Sequence, residues 1–372
     1  MFITFDGIMA TKNWFEKHPV FIFGMLIIIS VLIIDSICAY FLIPKDYNAF
    51  RIPHPVYHHD LKPFQQTQNK WGDRVFDMHT NSLGFKDQSA RIIETSASKK
   101  RILFMGDSFT ESVGMTWQES FPGILEKEFT EIEILNASVV SYSPKLYYLK
   151  TKYLIEIKKL QFDELFVFID NSDPLNEISY RNFEPYNKDF IEKAKLRIKR
   201  FLYKYSYLYF SISSLITNTK QNEITQSWNP MSGNAILDEF ATEDESFIAA
   251  TPTWSFTPAL YNKWGKEGLK LAKNNMQLLA DLCTKYGIKL TVIIYPWPLH
   301  ISKGLVDDIQ VNFWREFCNT NQIRFIDLYP PFINGVHKET ILKTCFIPGD
   351  VHWNQEGHKF MADLIMPYLK KE

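Results

Sequence analysis

Residues 101–108 read RILFMGDS, an apolar run, Ile102–Met105, that stops at the polar turn Gly106-Asp107-Ser108. A short continuous apolar run closed by turn residues reads as a strand buried on both faces. The same signature recurs in EIEILNAS (131–138), DELFVFIDNSD (163–173), IKLTVIIYP (288–296) and IRFIDLYP (323–330). Between these runs lie stretches with helical spacing: 117–129, 143–160, 258–287, 306–321 and a last one from Gln355 to Lys370. Ser143-Pro144 is a natural helix start and Gly287 a natural helix end. Strands alternating with helices predict an α/β fold, a central parallel sheet sandwiched between helices. In such sheets the active residues gather beyond the carboxyl ends of the strands. Here that means Gly106–Ser108, Asn136–Ser141, Asp170–Asp173 and Tyr295–His300.

The rest of the chain bounds what this sheet can serve. Its 372 residues carry 41 Lys+Arg against 42 Asp+Glu, with 46% hydrophobic and 22% charged residues. That composition excludes extensive disorder, and the balanced charge argues against a general nucleic-acid binder. The four cysteines (Cys38, Cys283, Cys318, Cys345) form no CxxC pair and no Cys/His ligand spacing, so neither a metal nor a cofactor is called for. One disulfide stays open in an oxidising compartment. Pro19–Ile34 is uncharged, Asp35 interrupts it, and the apolar run continues to Pro44. As a helix, residues 19–44 would reach about 39 Å at ~1.5 Å per residue, enough for a ~30 Å bilayer core. Tyr40, Phe41 and Leu42 are not a small-residue cleavage site, so an uncleaved single anchor is expected rather than a signal peptide. Lys12 and Lys17 before the span nearly balance Lys45 and Arg51 after it, with a lean to an N-terminus inside and a body outside.

Four parts follow: a tail at 1–18, the anchor at 19–44, a lead-in at 45–100 that is irregular but rich in aromatic anchors, and the sheet domain at 101–372. Within the last, residues from about 174 to 258 break the alternation and read as an insertion capping the strand ends. Its basic, aromatic helix (Lys193, Lys195, Arg197, Lys199, Arg200, Lys204) either packs on the body with a solvated basic face or lies on a membrane surface. His58-His59-Asp60 has no further ligands beside it and reads as packing, not as a metal site. Trp254, Trp297 and Trp353 either line a sugar cleft or fill the core.

The chemistry concentrates at the two ends of the domain. A serine at a strand-to-helix turn puts its hydroxyl and its own backbone N–H at the rim of the sheet, so Ser108 can be both nucleophile and oxyanion donor. Gly106 allows the tight turn and Asp107 accompanies it. At the far end stands Pro348-Gly349-Asp350-Val351-His352-Trp353-Asn354, before the last helix. Asp350, two residues before His352, can orient the imidazole, which then serves Ser108 as general base and the leaving group as general acid. Asn354 or Asp350 is also a natural cap for the last helix.

Together these blocks resemble the SGNH hydrolases, the superfamily of GDSL esterases and lipases, over about 101–173 and 257–370. Gly106-Asp107-Ser108 matches the family's first block, and Asp350 with His352 its last, although spaced Asp-x-His rather than the common Asp-x-x-His. Asn136-Ala137-Ser138-Val139-Val140-Ser141 stands where the family often has Asn-Ala-Ser-x-x-Gly. Asp170-Asn171-Ser172-Asp173 stands where Gly-x-Asn-Asp is usual. The resemblance implies a flavodoxin-like three-layer α/β/α sandwich. It also implies an oxyanion hole built from the N–H groups of Ser108 and Ser141 plus a side-chain donor, Asn171 or Ser172. The implied function is that of a membrane-anchored serine esterase or acyltransferase, a single-pass protein of a bacterial inner membrane with its catalytic body extracytoplasmic. It would act on O-acyl, above all O-acetyl, groups of a surface polysaccharide, with an acylated glycan as partner. A lipid ester is the competing substrate, and a non-catalytic role in envelope polysaccharide assembly the competing class.

Overall fold

The computed structural model describes residues 14–43, 47–185, 190–221, 251–334 and 338–370. They divide into a larger unit, built on 47–187 and 227–372, and a smaller one, built on 1–46 and 188–226. The apolar span is one helix, α1 (Pro19–Leu42), which runs through Asp35 without a break. Its side chains are almost all exposed, and it is long and apolar enough to cross a membrane.

The lead-in is more regular than its composition suggests. It forms two antiparallel hairpins, β1 (Arg51–His54) with β2 (His58–Leu61), and β3 (Gln66–Trp71) with β4 (Arg74–His79). The mix of His, Pro and Asn hides them because the first hairpin takes its order from buried partners, not from its own alternation: all four residues of β2 are buried.

The central sheet has five parallel strands: β5 (Lys100–Met105), β6 (Ile132–Asn136), β7 (Glu164–Ile169), β8 (Lys289–Ile294) and β9 (Arg324–Asp327). Their order across the sheet is β6-β5-β7-β8-β9. β5 and β7 are buried on both faces, as their unbroken apolar runs require. The chain order therefore reverses around β5, and the crevice at the ends of β5 and β7 is the topological switch point, where open α/β sheets bind ligands. The helices α2 (Ser108–Glu111), α3 (Phe121–Glu128), α4 (Pro144–Glu156) and α5 (Asp173–Tyr180) follow strands of this sheet. α6 (Phe190–Tyr205) and α7 (Tyr207–Gln221) belong to the smaller unit. α8 (Lys266–Tyr286), α9 (Ile309–Thr320) and α10 (Gln355–Leu369) are the longer helices of the larger unit's second half. α8 packs on α4 and α5, and α10 on α3. At Gly268 a Cβ would collide with the carbonyl of Pro174, so the α8–α5 contact needs glycine there.

The insertion is shorter than the sequence implied. α5 belongs to the larger unit, and so does Trp254, wholly buried near its far end. Residues 190–221, expected as a cap, pack with α1 in the smaller unit, and 222–250 lie outside the described residues.

Two buried ion pairs among the described residues tie the first hairpin to the sheet domain, Arg51 with Glu111 and Lys150 with Asp60. Lys150 of α4 donates to Asp60 of β2 at 2.7 Å, and both side chains are at most 5% exposed. Tyr57 also donates to this carboxylate, at 2.8 Å. Breaking such a pair from one side strands the other charge. Lys150→Met should therefore destabilise the larger unit by about 3–5 kcal/mol, and Lys150→Met with Asp60→Leu should recover a large part of the loss. Chemical denaturation of the three proteins checks this; a single variant as stable as the wild type would contradict it.

Candidate active site

β5 ends at Met105 and the chain turns at once into the one-turn helix α2, whose first residue is Ser108. Asp107 caps that turn, its Oδ1 accepting the Phe109 N–H at 3.0 Å. Gly106 is required less for its dihedrals than for space: a Cβ there would collide with the Thr110 side chain and crowd Phe168. Ser108 and His352, 244 residues apart in the chain, meet at this turn. Ser108 Oγ lies 2.8 Å from His352 Nε2, and His352 Nδ1 lies 2.7 Å from Asp350 Oδ1. The Asp350 carboxylate also accepts the His352 N–H at 3.0 Å and the indole N–H of Trp71 at 2.7 Å. Trp71, from β3, further stands edge-on to the imidazole, with ring centroids 5.0 Å apart.

These contacts assign the protons. Burial works to raise the Asp350 carboxyl, but hydrogen bonds from His352 and Trp71 and the proximity of His352 outweigh it, and the group is held below the ordinary carboxylate range. An ionised Asp350 can only accept, so His352 Nδ1 carries a hydrogen and Nε2 is left to accept from Ser108. The short Asp-x-His spacing therefore still lets Asp350 orient the imidazole that meets Ser108.

The loop after β6 carries Ser141, the residue expected to give a second oxyanion donor. Ser141, where a glycine would be usual, has φ 62°, the left-handed conformation that favours glycine. The loop keeps its shape because its neighbours hold it. Val140 N–H donates to Glu111 Oε2 at 2.8 Å, and Arg51 of β1 grips the same carboxylate from both sides, at 2.8 and 2.5 Å. His59 contacts the Val140 carbonyl at 2.8 Å, and Tyr142 donates to the His59 carbonyl at 2.5 Å. Burial drives His59 well below the usual imidazole range, so the ring is neutral. Its Nε2–H then donates to Val140, and its Nδ1 accepts from His58 Nδ1 at 2.7 Å. The His58-His59 pair is thus a brace for this loop; no cluster of potential metal ligands occurs among the described residues.

Among the described residues no protein acceptor takes the backbone N–H of Ser108 or of Ser141. The two side chains expected as a third donor are committed elsewhere. Asn171 Nδ2 donates to the Thr251 carbonyl at 2.6 Å, and Ser172 Oγ donates to Asp170 Oδ1 at 2.6 Å. In this conformation two N–H groups remain for an oxyanion.

Asp107, Asp170 and Asp173 gather behind the nucleophile, all buried. Asp170 accepts from Ser172, from Tyr295 (3.1 Å) and from the indole of Trp297 (2.7 Å), while Tyr147 donates to Asp173 at 3.1 Å. Burial first, then the neighbouring Asp170, push Asp107 well above the usual carboxylate range; Asp173 is raised by burial and then by Asp170 and Asp107. The supporting residues play structural parts. Asn136 Nδ2 donates to the Thr110 carbonyl at 2.7 Å, tying the two loops together. Asn354 caps α10, accepting from Glu356 at 3.0 Å and Gly357 at 3.1 Å. Trp353 and Trp254 are core residues, and Trp297, 8% exposed, serves Asp170, so none of the three lines an open sugar cleft. The sequence reading assigned no site role to Trp71, Glu111 or Arg51, which carry no local signal; Tyr295 and Trp297 lie in the strand-end segment it singled out, and their hydrogen bonds to Asp170 emerge only in the structure. The four cysteines are free.

No family profile and no curated protein matches the chain. Solved structures do. A protein of the lipolytic G-D-S-L family from Desulfitobacterium hafniense DCB-2 is 12% identical, covering 72% of this chain and 99% of that one at a TM-score of 0.37. The acetyl xylan esterase AlAXEase is 12% identical over 72% of this chain and 99% of its own, with a TM-score of 0.39. The lipase/acylhydrolase from Enterococcus faecalis is 12% identical over 73% and 95%, with a TM-score of 0.36. Scores this low leave the chemistry to be argued from the geometry above.

Ser141 supplies a test of that geometry. A non-glycine residue held left-handed costs on the order of 1–3 kcal/mol, and glycine gives back about 0.5–1 kcal/mol in chain entropy. Ser141→Gly should therefore leave the melting temperature unchanged or raise it by a few degrees, whereas β-branched Ser141→Val should lower it. A Ser141→Gly variant clearly less stable than wild type in thermal denaturation would show that the loop is not left-handed at this position.

Proposed function

We propose that this protein is a membrane-anchored serine esterase of the SGNH type, hydrolysing or transferring a short O-acyl group, above all acetyl, on a surface glycan. The single observation that carries the esterase reading is the unbroken hydrogen-bond chain Ser108–His352–Asp350, at 2.8 and 2.7 Å, at the switch point of the sheet. Ser108 Oγ attacks the ester carbonyl while His352 Nε2 takes its proton, and Asp350 stabilises the imidazolium that forms. The developing oxyanion is met by the N–H groups of Ser108 and Ser141. His352 then passes the proton to the leaving alkoxide, and water, or a sugar hydroxyl, releases the acyl group by the reverse sequence.

A short acyl group is supported by the setting of the nucleophile: Ser108 is 7% and His352 6% exposed, which suits a small acyl chain. The glycan rests on the family resemblance and on the anchor reading of α1; the catalytic body is taken to lie outside the cytoplasm. A lipid ester is the second reading, favoured by the apolar and basic surface of α6 and α7. The two-donor oxyanion hole fits a slow or specialised enzyme, and retention of the complete relay speaks against a purely non-catalytic partner.

The full chain in detergent, assayed on p-nitrophenyl acetate and treated with a fluorophosphonate probe, tests this. Wild type should turn over and label, and Ser108→Ala should do neither. Asp350→Asn should lose about 10⁴ in kcat with its fold intact, because the amide no longer enforces the right tautomer. Trp71→Phe, which removes one donor to Asp350, should lose far less, about tenfold for a single charge-assisted hydrogen bond. Folded wild type that neither turns over nor labels would overturn the esterase reading. Acetylated xylan or another acetylated polysaccharide, compared with a long-chain monoacylglycerol, separates the glycan from the lipid ester.

A further inference from the structure

α1 carries one charge in its length, Asp35, and that carboxylate is engaged by the insertion. Asp35 Oδ1 accepts the Leu208 N–H at 2.8 Å, and the Ser206 side chain hydrogen-bonds the same carboxylate. Ser206 stands between α6 and α7, and its Oγ accepts the Tyr209 N–H at 3.1 Å. The first turn of α7 is therefore capped twice, by its own Ser206 and by Asp35 from another helix. A helix start offers N–H groups with no intrahelical acceptor and a partial positive charge, so it suits a carboxylate. Asp35 lies seven residues before Leu42, or about 10 Å from that end of α1 at ~1.5 Å per residue. If α1 spans a ~30 Å core, the corner between α6 and α7 sits near one membrane surface.

The two helices present the surface that such a position demands. Ile198 and Phe201 on α6 are 59% and 61% exposed; Leu208 and Ile212 on α7 are 62% and 50% exposed. Spacings of three and four place each pair on one helix face. Lys195, Lys199 and Lys204 of α6 are also exposed. Apolar side chains left in water are a liability, while the same stripe beside basic residues is the mark of a helix lying in the plane of a bilayer surface.

We infer that α6 and α7 form a second membrane contact, an interfacial helix pair whose apolar stripe enters the acyl region and whose lysines meet anionic headgroups, with Asp35 as the clasp that fixes it to the anchor. The inference rests on the reading of α1 as a membrane span, and its occupant is lipid, argued from continuity with that span and from charge. It also accounts for Asp35, which would otherwise be an unpaired carboxylate in an apolar helix.

The test uses the full chain with Cys38→Ser, the other three cysteines being buried, and one added cysteine at Phe201, Ile212, Ile29 in the anchor, or Gln277 on the body. Each is labelled with an environment-sensitive fluorophore and reconstituted into phosphatidylcholine vesicles with or without phosphatidylglycerol. Lipids brominated along their acyl chains should quench the Phe201 and Ile212 labels comparably to the Ile29 label and leave Gln277 unquenched. Adding phosphatidylglycerol should strengthen quenching at Phe201. Asp35→Leu should reduce quenching at Ile212 while leaving Ile29 unchanged. Quenching at Ile29 with none at Phe201 and Ile212 overturns the inference and leaves the anchor standing. Efficient cross-linking between copies through Phe201→Cys or Ile212→Cys, without quenching, assigns the stripe to a second copy and also overturns it. No quenching at Ile29 removes the anchor reading and this inference with it.

Discussion

Glu111 sits three residues beyond the candidate nucleophile, wholly buried, and the active-site architecture hangs on it. Its carboxylate receives both arms of Arg51 from the first hairpin and the backbone N–H of Val140 from the loop after β6. A buried carboxylate is costly unless it is paired and hydrogen-bonded. Meeting that requirement draws three distant segments to one point: the turn that carries Ser108, the loop that carries Ser141, and the lead-in. The lead-in is thus part of the site. Its first hairpin sets the oxyanion loop through Arg51 and His59, and its second supplies Trp71 to Asp350.

This arrangement explains how Ser141 can stand where glycine would be easier. A left-handed serine costs free energy that a loose loop would shed by relaxing. Here both backbone groups of the preceding Val140 are held, the N–H by Glu111 and the carbonyl by His59, so the conformation is imposed from outside. An imposed backbone N–H is a rigid one, and rigidity is what an oxyanion donor must have to be worth more than water.

The sheet was legible because its central strands β5 and β7 are buried on both faces and the others are apolar where they enter the core, so that all five read as apolar runs, a pattern that survives without knowledge of their partners. The strand-end rule then pointed to Ser108, Ser141 and the Asp170–Asp173 segment, and the spacing of Asp350 and His352 to the relay. What stayed hidden were residues that belong to no motif and take their meaning from a contact far along the chain. Arg51, Glu111 and Trp71 are ordinary residues locally; Trp71 meets Asp350 across 279 positions. The first hairpin was illegible for the same reason, since the burial of β2 comes from the body and not from its own alternation. The roles of Asn171 and Ser172 as donors followed from block position alone, and the nearby carbonyl and carboxylate that claim their hydrogens could not be read from it.

The altered third block has its own physical logic. In a three-donor hole a side-chain amide supplies part of the charge stabilisation; here Asn171 Nδ2 is turned to the Thr251 carbonyl. Thr251 lies at the returning end of the insertion, close to Trp254, whose indole in turn donates to the Asn171 carbonyl at 2.7 Å. The insertion's return thus holds this segment by two hydrogen bonds, one from the side chain and one to the backbone. An amide so engaged is not available to an oxyanion in this conformation. Two donors give a weaker hole than three, by a factor that removal of one donor elsewhere puts at about 10²–10³.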